Sequence, residues 1–97
     1  MSPRRAAHID HAQKDIVAAV QHLGCTVIKT ASVGDGFPDL VVVLPDGQVV
    51  LVEIKTPGYP ECKPDQLILM LKLVSPAYRI WMTPEQAIQS VQKLIQL

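Results

Sequence analysis

Apolar side chains at Ile9, Ala12, Ile16, Ala19, Val20 and Leu23 recur every three or four residues. That spacing predicts an amphipathic helix over residues 9–23, stopped by Gly24 just past its last turn. Val27 and Ile28 mark a short strand over 25–30, followed by a loop over 31–38 that carries Gly34-Asp35-Gly36. Residues 39–44 are rich in β-branched side chains and predict a second strand. Pro45-Asp46-Gly47 then makes a turn, because proline presets one φ angle and glycine accepts a positive one. With a third strand over 48–55, this predicts a hairpin. Residues 56–63 read as a loop. Pro64 suits the first turn of a second helix, which runs through Leu67, Leu71 and Val74 until Ser75-Pro76 ends it. A fourth strand over 78–82 leads to Thr83-Pro84-Glu85-Gln86, a capping box that opens a last helix reaching about Leu97. The order α-β-β-β-α-β-α predicts one α/β domain over residues 1–97, a mixed four-stranded sheet flanked by helices.

Composition narrows the classes of function. The 97 residues are 48% hydrophobic and 19% charged, which fits a packed globule rather than a disordered tail. No apolar run approaches the roughly 20 residues that cross a bilayer. The start Met-Ser-Pro-Arg-Arg has no apolar stretch behind it, so no secretory signal is expected. Cys25 and Cys62 lack Cys or His partners at zinc-ligand spacing and read as free thiols of a cytoplasmic protein. The formal net charge is zero, which argues against a tight non-specific DNA binder. It says little against an enzyme whose carboxylates hold a cation, since a bound ion reverses the local sign.

The third strand holds the candidate chemistry. Val49, Val50, Leu51, Val52 and Ile54 leave it no polar face, so burial on both sides is expected. Yet Glu53 and Lys55 sit near its end, two residues apart and therefore on one face. Asp39 begins the second strand, and a short hairpin connection sets it opposite Glu53 or Lys55. Two carboxylates can hold Mg²⁺ with several waters retained, and a neighbouring ammonium can orient an attacking water or stabilise a developing anion. The plainer reading is a solvated Glu and Lys at a strand mouth and an Asp marking a turn after Pro38. Spacing alone does not decide between the two.

Gly36-Phe37-Pro38-Asp39, thirteen intervening residues and then Glu53-Ile54-Lys55 resemble the signature of the PD-(D/E)xK nucleases. The Gly-x-Pro-Asp segment, the Val52-to-Lys55 strand and a downstream Gln66 are similar to those of stand-alone VRR-NUC domains, and the similarity spans nearly the whole chain. The resemblance implies a DNA endonuclease dependent on Mg²⁺ or Mn²⁺. It casts Asp39 and Glu53 as metal ligands, with the backbone carbonyl of Ile54 as a further donor. Lys55 becomes the catalytic lysine, and Gln66 an organising residue of the site. Relatives often carry a Glu on the first helix. This chain has none there, so Asp10 is the nearest substitute, with Gln13 and Asp15 as alternatives.

The succession Leu67-Ile68-Leu69-Met70-Leu71 exceeds what one narrow stripe needs, so a homodimer is expected. Paired sites favour branched or four-way-junction DNA as substrate. Two rival readings remain: a nicking or restriction-like nuclease of duplex DNA, and a non-catalytic DNA-binding or assembly module on the same fold. Arg4, Arg5, His8, His11 and Lys14 gather at the first helix and either meet phosphates or are simply solvated. Tyr59 and Lys63 lie in the loop after the candidate strand, within reach of a bound nucleic acid. Trp81, between Ile80 and Met82, reads as core.

Overall fold

Ile16, Val17 and Val20 line the buried side of a first helix, α1 (Pro3–His22), with Ala12 and Leu23 packed beside them. The computed structural model describes residues 3–55, 72 and 78–95, with side chains from residue 12 onward. The helix begins six residues before the expected start at Ile9. Pro3 suits a first helical position, and Arg4, Arg5, Ala6 and Ala7 are strong helix formers that add no apolar stripe. At its other end the N–H of Cys25 donates to Val20 O (3.1 Å) and that of Gly24 to Gln21 O (3.0 Å). These paired bonds are a Schellman closure, which requires the left-handed φ of 91° at Gly24.

Four strands follow: β1 (Thr26–Lys29), β2 (Leu40–Val43), β3 (Val49–Ile54) and β4 (Tyr78–Trp81). They lie in sequence order across one sheet, β1 and β2 antiparallel, β2 and β3 antiparallel, β3 and β4 parallel. A parallel pair cannot be joined by a tight turn. The stretch 55–77 supplies a connection of the necessary length. Within it lie the expected second helix, Tyr59, Cys62, Lys63 and Gln66. These are outside the described residues apart from Lys72, which is helical and exposed.

The hairpin between β2 and β3 closes as anticipated. Gly47 N–H donates to Leu44 O (2.9 Å), and Leu44 N–H to Gln48 O (2.8 Å). Gly47, with φ 92°, supplies the left-handed residue that such a three-residue connection needs. Gln48 secures the turn twice, donating from Nε2 to Asp46 Oδ2 (2.6 Å) and to Leu94 O (2.9 Å) near the end of the last helix.

That last helix, α2 (Pro84–Ile95), starts at the predicted cap: Gln86 N–H donates to Thr83 Oγ1 (3.1 Å). The reciprocal bond differs from the expected box. Gln86 Oε1 accepts from Met82 N–H (2.8 Å), one residue before the cap. α1 and α2 pack on each other and on one sheet face, where Leu40, Val42, Val50, Val52, Ile54 and Trp81 meet Ile16, Val20, Ala87 and Val91. Trp81 is thus core, 2% exposed, although its Nε1 finds no hydrogen-bond partner among the described residues. β3 departs from the expectation of full burial. Val49 is 54% exposed, and only from Val50 onward does the strand run beneath its neighbours, with Leu51 half-buried.

Candidate active site

The approach to Asp39 is set by backbone conformation. Gly34, Asp35 and Gly36 take successive positive φ angles of 77°, 56° and 78°. That path suits glycine and, less readily, aspartate. Phe37 N–H closes the loop on Gly34 O (2.9 Å), and Thr30 Oγ1 donates to the carbonyl of the buried Pro38 (2.8 Å). Asp39 therefore arrives at a fixed position immediately before β2, where its carbonyl accepts from Thr30 N–H (2.8 Å).

Leu40 pairs with Val52, so one step further along this antiparallel register sets Asp39 opposite Glu53. The Asp39 side chain completes the ladder: Oδ2 accepts the N–H of Ile54 at 2.8 Å, at the position where β2 has not yet begun. The next amide, Lys55 N–H, turns the other way and donates to Trp81 O of β4 (3.1 Å). Strand alternation then directs Glu53 and Lys55 to the face opposite the helices, on the same side as Asp39. Glu53 is 3% exposed and Lys55 8%, the two buried charged residues among the described residues.

Burial pushes the Glu53 carboxyl up to about 8. A hydrogen bond to Asp39 and the charge of that neighbour act in the same direction. The Lys55 ammonium and a hydrogen bond with Tyr78 pull it back down. At neutral pH Glu53 therefore keeps its proton, hydrogen-bonded to Asp39. Tyr78 was read in the sequence only as the start of a strand. Its role comes from the parallel pairing of Leu51 with Tyr78, which brings the phenol beside the acidic end of β3. The available signal was a polar-tipped aromatic at a strand start, which means little until its partner strand is known.

Asp39, Glu53 and Lys55 are thus brought together, and the amide of Ile54 joins them. The first-helix candidates stand differently. The side chain of Asp10 lies outside the described residues, with those of Arg4, Arg5, His8 and His11; Gln13 is half-buried, while Lys14 and Asp15 are exposed. Among the described residues no three His, Cys, Asp or Glu side chains gather at metal-binding distance. Two carboxylates nevertheless suit a hard cation that keeps most of its waters. Cys25 is a free thiol, raised by burial and by the charge of Asp46, and stands apart from the candidate site. No helix among the described residues is long and apolar enough to cross a membrane.

No protein-family model matches the chain. It is 31% identical over 83 residues to "Putative nuclease p44" of Acyrthosiphon pisum secondary endosymbiont phage 1, across 84% of this chain and 88% of that protein. A solved structure described as a VRR_NUC domain superposes with a TM-score of 0.68 at 27% identity, covering 92% of this chain and 95% of the other. The chain belongs to the VRR-NUC nucleases. The mixed four-stranded sheet with its helices is the VRR-NUC architecture. Within this VRR-NUC chain, the carboxyl pair lies where β2 begins and β3 ends.

Proposed function

We propose that this chain is a metal-dependent DNA endonuclease, acting as a single domain over residues 1–97, with its active site at Asp39, Glu53 and Lys55. The observation that carries the reading is the convergence of Asp39 and the buried Glu53 and Lys55 where β2 begins and β3 ends. Asp39 and Glu53 would hold Mg²⁺ or Mn²⁺, with the Ile54 carbonyl, and Asp10 from the first helix, as further donors. The ion, when bound, supplies Lewis acidity: it lowers the pKa of water and offsets charge on the scissile phosphate. The Ile54 amide fixes the Asp39 carboxylate through Oδ2, and the hydrogen bond between Asp39 and Glu53 turns the two acids toward one another. Lys55 orients the attacking water or stabilises the charge that develops on the phosphate. Gln66 is assigned to the organisation of the same site on the strength of the family resemblance.

Branched DNA and a homodimer belong to this proposal. The apolar run over residues 67–71 supports association, as do the exposed Ile28 and Val49 (52% and 54%) on the sheet. A panel of single-strand, duplex, flap and four-way-junction DNA, incubated with Mn²⁺, tests the reading. The wild type is expected to cleave, with the junction preferred. Lys55→Ala, verified as folded by circular dichroism, is expected to lose at least about a hundredfold in rate, as does loss of one electrostatic stabiliser in other enzymes. Equal cleavage by the variant would move the site elsewhere. No Mn²⁺ binding by the wild type would favour a non-catalytic DNA-binding module.

A further inference from the structure

The loop over residues 31–38 joins β1 to β2 at the end of the sheet where Asp39 meets Glu53. Its neck is closed: Thr30 donates from N–H to Asp39 O and from Oγ1 to Pro38 O, both at 2.8 Å. Inside it, Val33 N–H donates to Thr30 O (3.0 Å) and closes a 3₁₀ turn (Ala31–Val33). Phe37 N–H closes a second turn on Gly34 O, with Asp35 and Gly36 both at positive φ, as a type I′ turn requires. Such a turn usually joins two strands directly. Here it stands beyond the ladder, and Ala31 to Asp35 are exposed. Asp35 is the one non-glycine residue at positive φ among the described residues. Val33, 57% exposed, is their most exposed large apolar side chain and takes no part in the core. An apolar tip is thus held in water on a well-bonded support.

The loop's chemistry narrows what it can touch. Residues 30–38 contain no Lys, Arg or His and one acid, Asp35, so the loop does not suit phosphates. An apolar tip suits the sugars and base edges of a groove, where apolar side chains enter. We infer that this loop enters the minor groove of the nucleic-acid substrate beside the scissile phosphate, with Val33 packed on sugars and base edges. The inference rests on the nuclease reading and adds a residue that sets where along the strand the cut falls. The closed neck ties the loop to the carbonyls of Pro38 and Asp39. The offset between Val33 and the acidic pair is thereby fixed before DNA arrives, so no ordering of the loop opposes binding.

The test uses the whole protein, with EDTA for binding and Mn²⁺ for cleavage. Anisotropy of labelled duplex and four-way-junction DNA is followed for the wild type, Val33→Ser and Asp35→Asn, each shown folded by circular dichroism. Val33→Ser is expected to weaken binding by about tenfold, the loss of one apolar side chain from a buried contact. With Mn²⁺ present, its KM should rise while kcat holds, and its cuts should spread over neighbouring phosphates. Asp35→Asn, which keeps a residue tolerant of positive φ, should tighten binding at low salt and lose that gain at high salt. Netropsin, which fills the minor groove of A·T-rich duplex, should compete with the wild type. The inference falls if the wild type binds DNA and Val33→Ser keeps both its affinity and its cutting positions. It also falls if Val33→Ser alters the sedimentation coefficient and leaves DNA affinity unchanged, since Val33 would then be a contact between two copies of the chain. If the wild type neither binds nor cleaves DNA, the nuclease reading itself fails, and this inference with it.

Discussion

At pH 7 an exposed glutamate is ionised, whereas Glu53, raised to about 8, still holds its proton against Asp39. The folded chain therefore binds this proton more tightly than the unfolded chain does. The resulting stabilisation is complete below about pH 4.5 and is lost as pH rises through 8. Glu53→Gln removes the titration while keeping the shape and a hydrogen-bond donor. In the presence of EDTA, the melting temperature of this variant is expected to gain on the wild type from pH 5 to about pH 8 and to level off above it. A difference that stays flat across that range would mean that Glu53 is not the buried acid described here. Tyr78 acts in the opposite sense, favouring the ionised form. Tyr78→Phe should therefore raise the Mn²⁺ concentration needed for half-maximal cleavage, with little change in KM for DNA.

Two helix ends differ in how tightly they are constrained. A methyl group at Gly24 would meet Pro45 Cγ at 3.2 Å and require an L-residue at φ 91°. Gly24→Ala should thus cost more than the loss of a cap, which is typically about 1 kcal/mol for Thr83→Ala. Thermal melts of the two variants make the comparison, and Thr83→Ala as the more harmful change would contradict it. These ends were legible in the sequence because caps and glycines act locally. So were the hairpin and the stripe of α1 from Ala12 onward, which follow from periodicity. The start of α1 was not, since good helix formers without an apolar stripe leave no period to read. The short turn at 45–47 placed Asp39 opposite Glu53 or Lys55, and the observed register decides for Glu53. The Asp39 bond to the Ile54 amide could not be deduced, because it depends on β2 beginning at Leu40 rather than one residue earlier. Tyr78 was hidden for a broader reason: parallel pairing across 23 intervening residues has no local signature.

For the molecule as a whole, the proposed metal site would couple cation binding to proton release. A divalent ion held there would have to displace the Glu53 proton, so its affinity should rise with pH and level off above about 8. Ligand binding to the native state raises stability by mass action. At fixed Mn²⁺ the increase in melting temperature is thus expected to be larger at pH 8 than at pH 6, and to vanish in Asp39→Ala. An equal increase at both pH values would place the ion elsewhere. The hairpin that delivers Asp39 opposite Glu53 has its own long-range tie, the bond from Gln48 to the Leu94 carbonyl. Its turn is local and can form as soon as those residues leave the ribosome, whereas the tie spans 46 positions and must wait until Leu94 has been synthesised. During translation the two strands that carry the acidic pair can therefore meet early, but their far end is fastened only late.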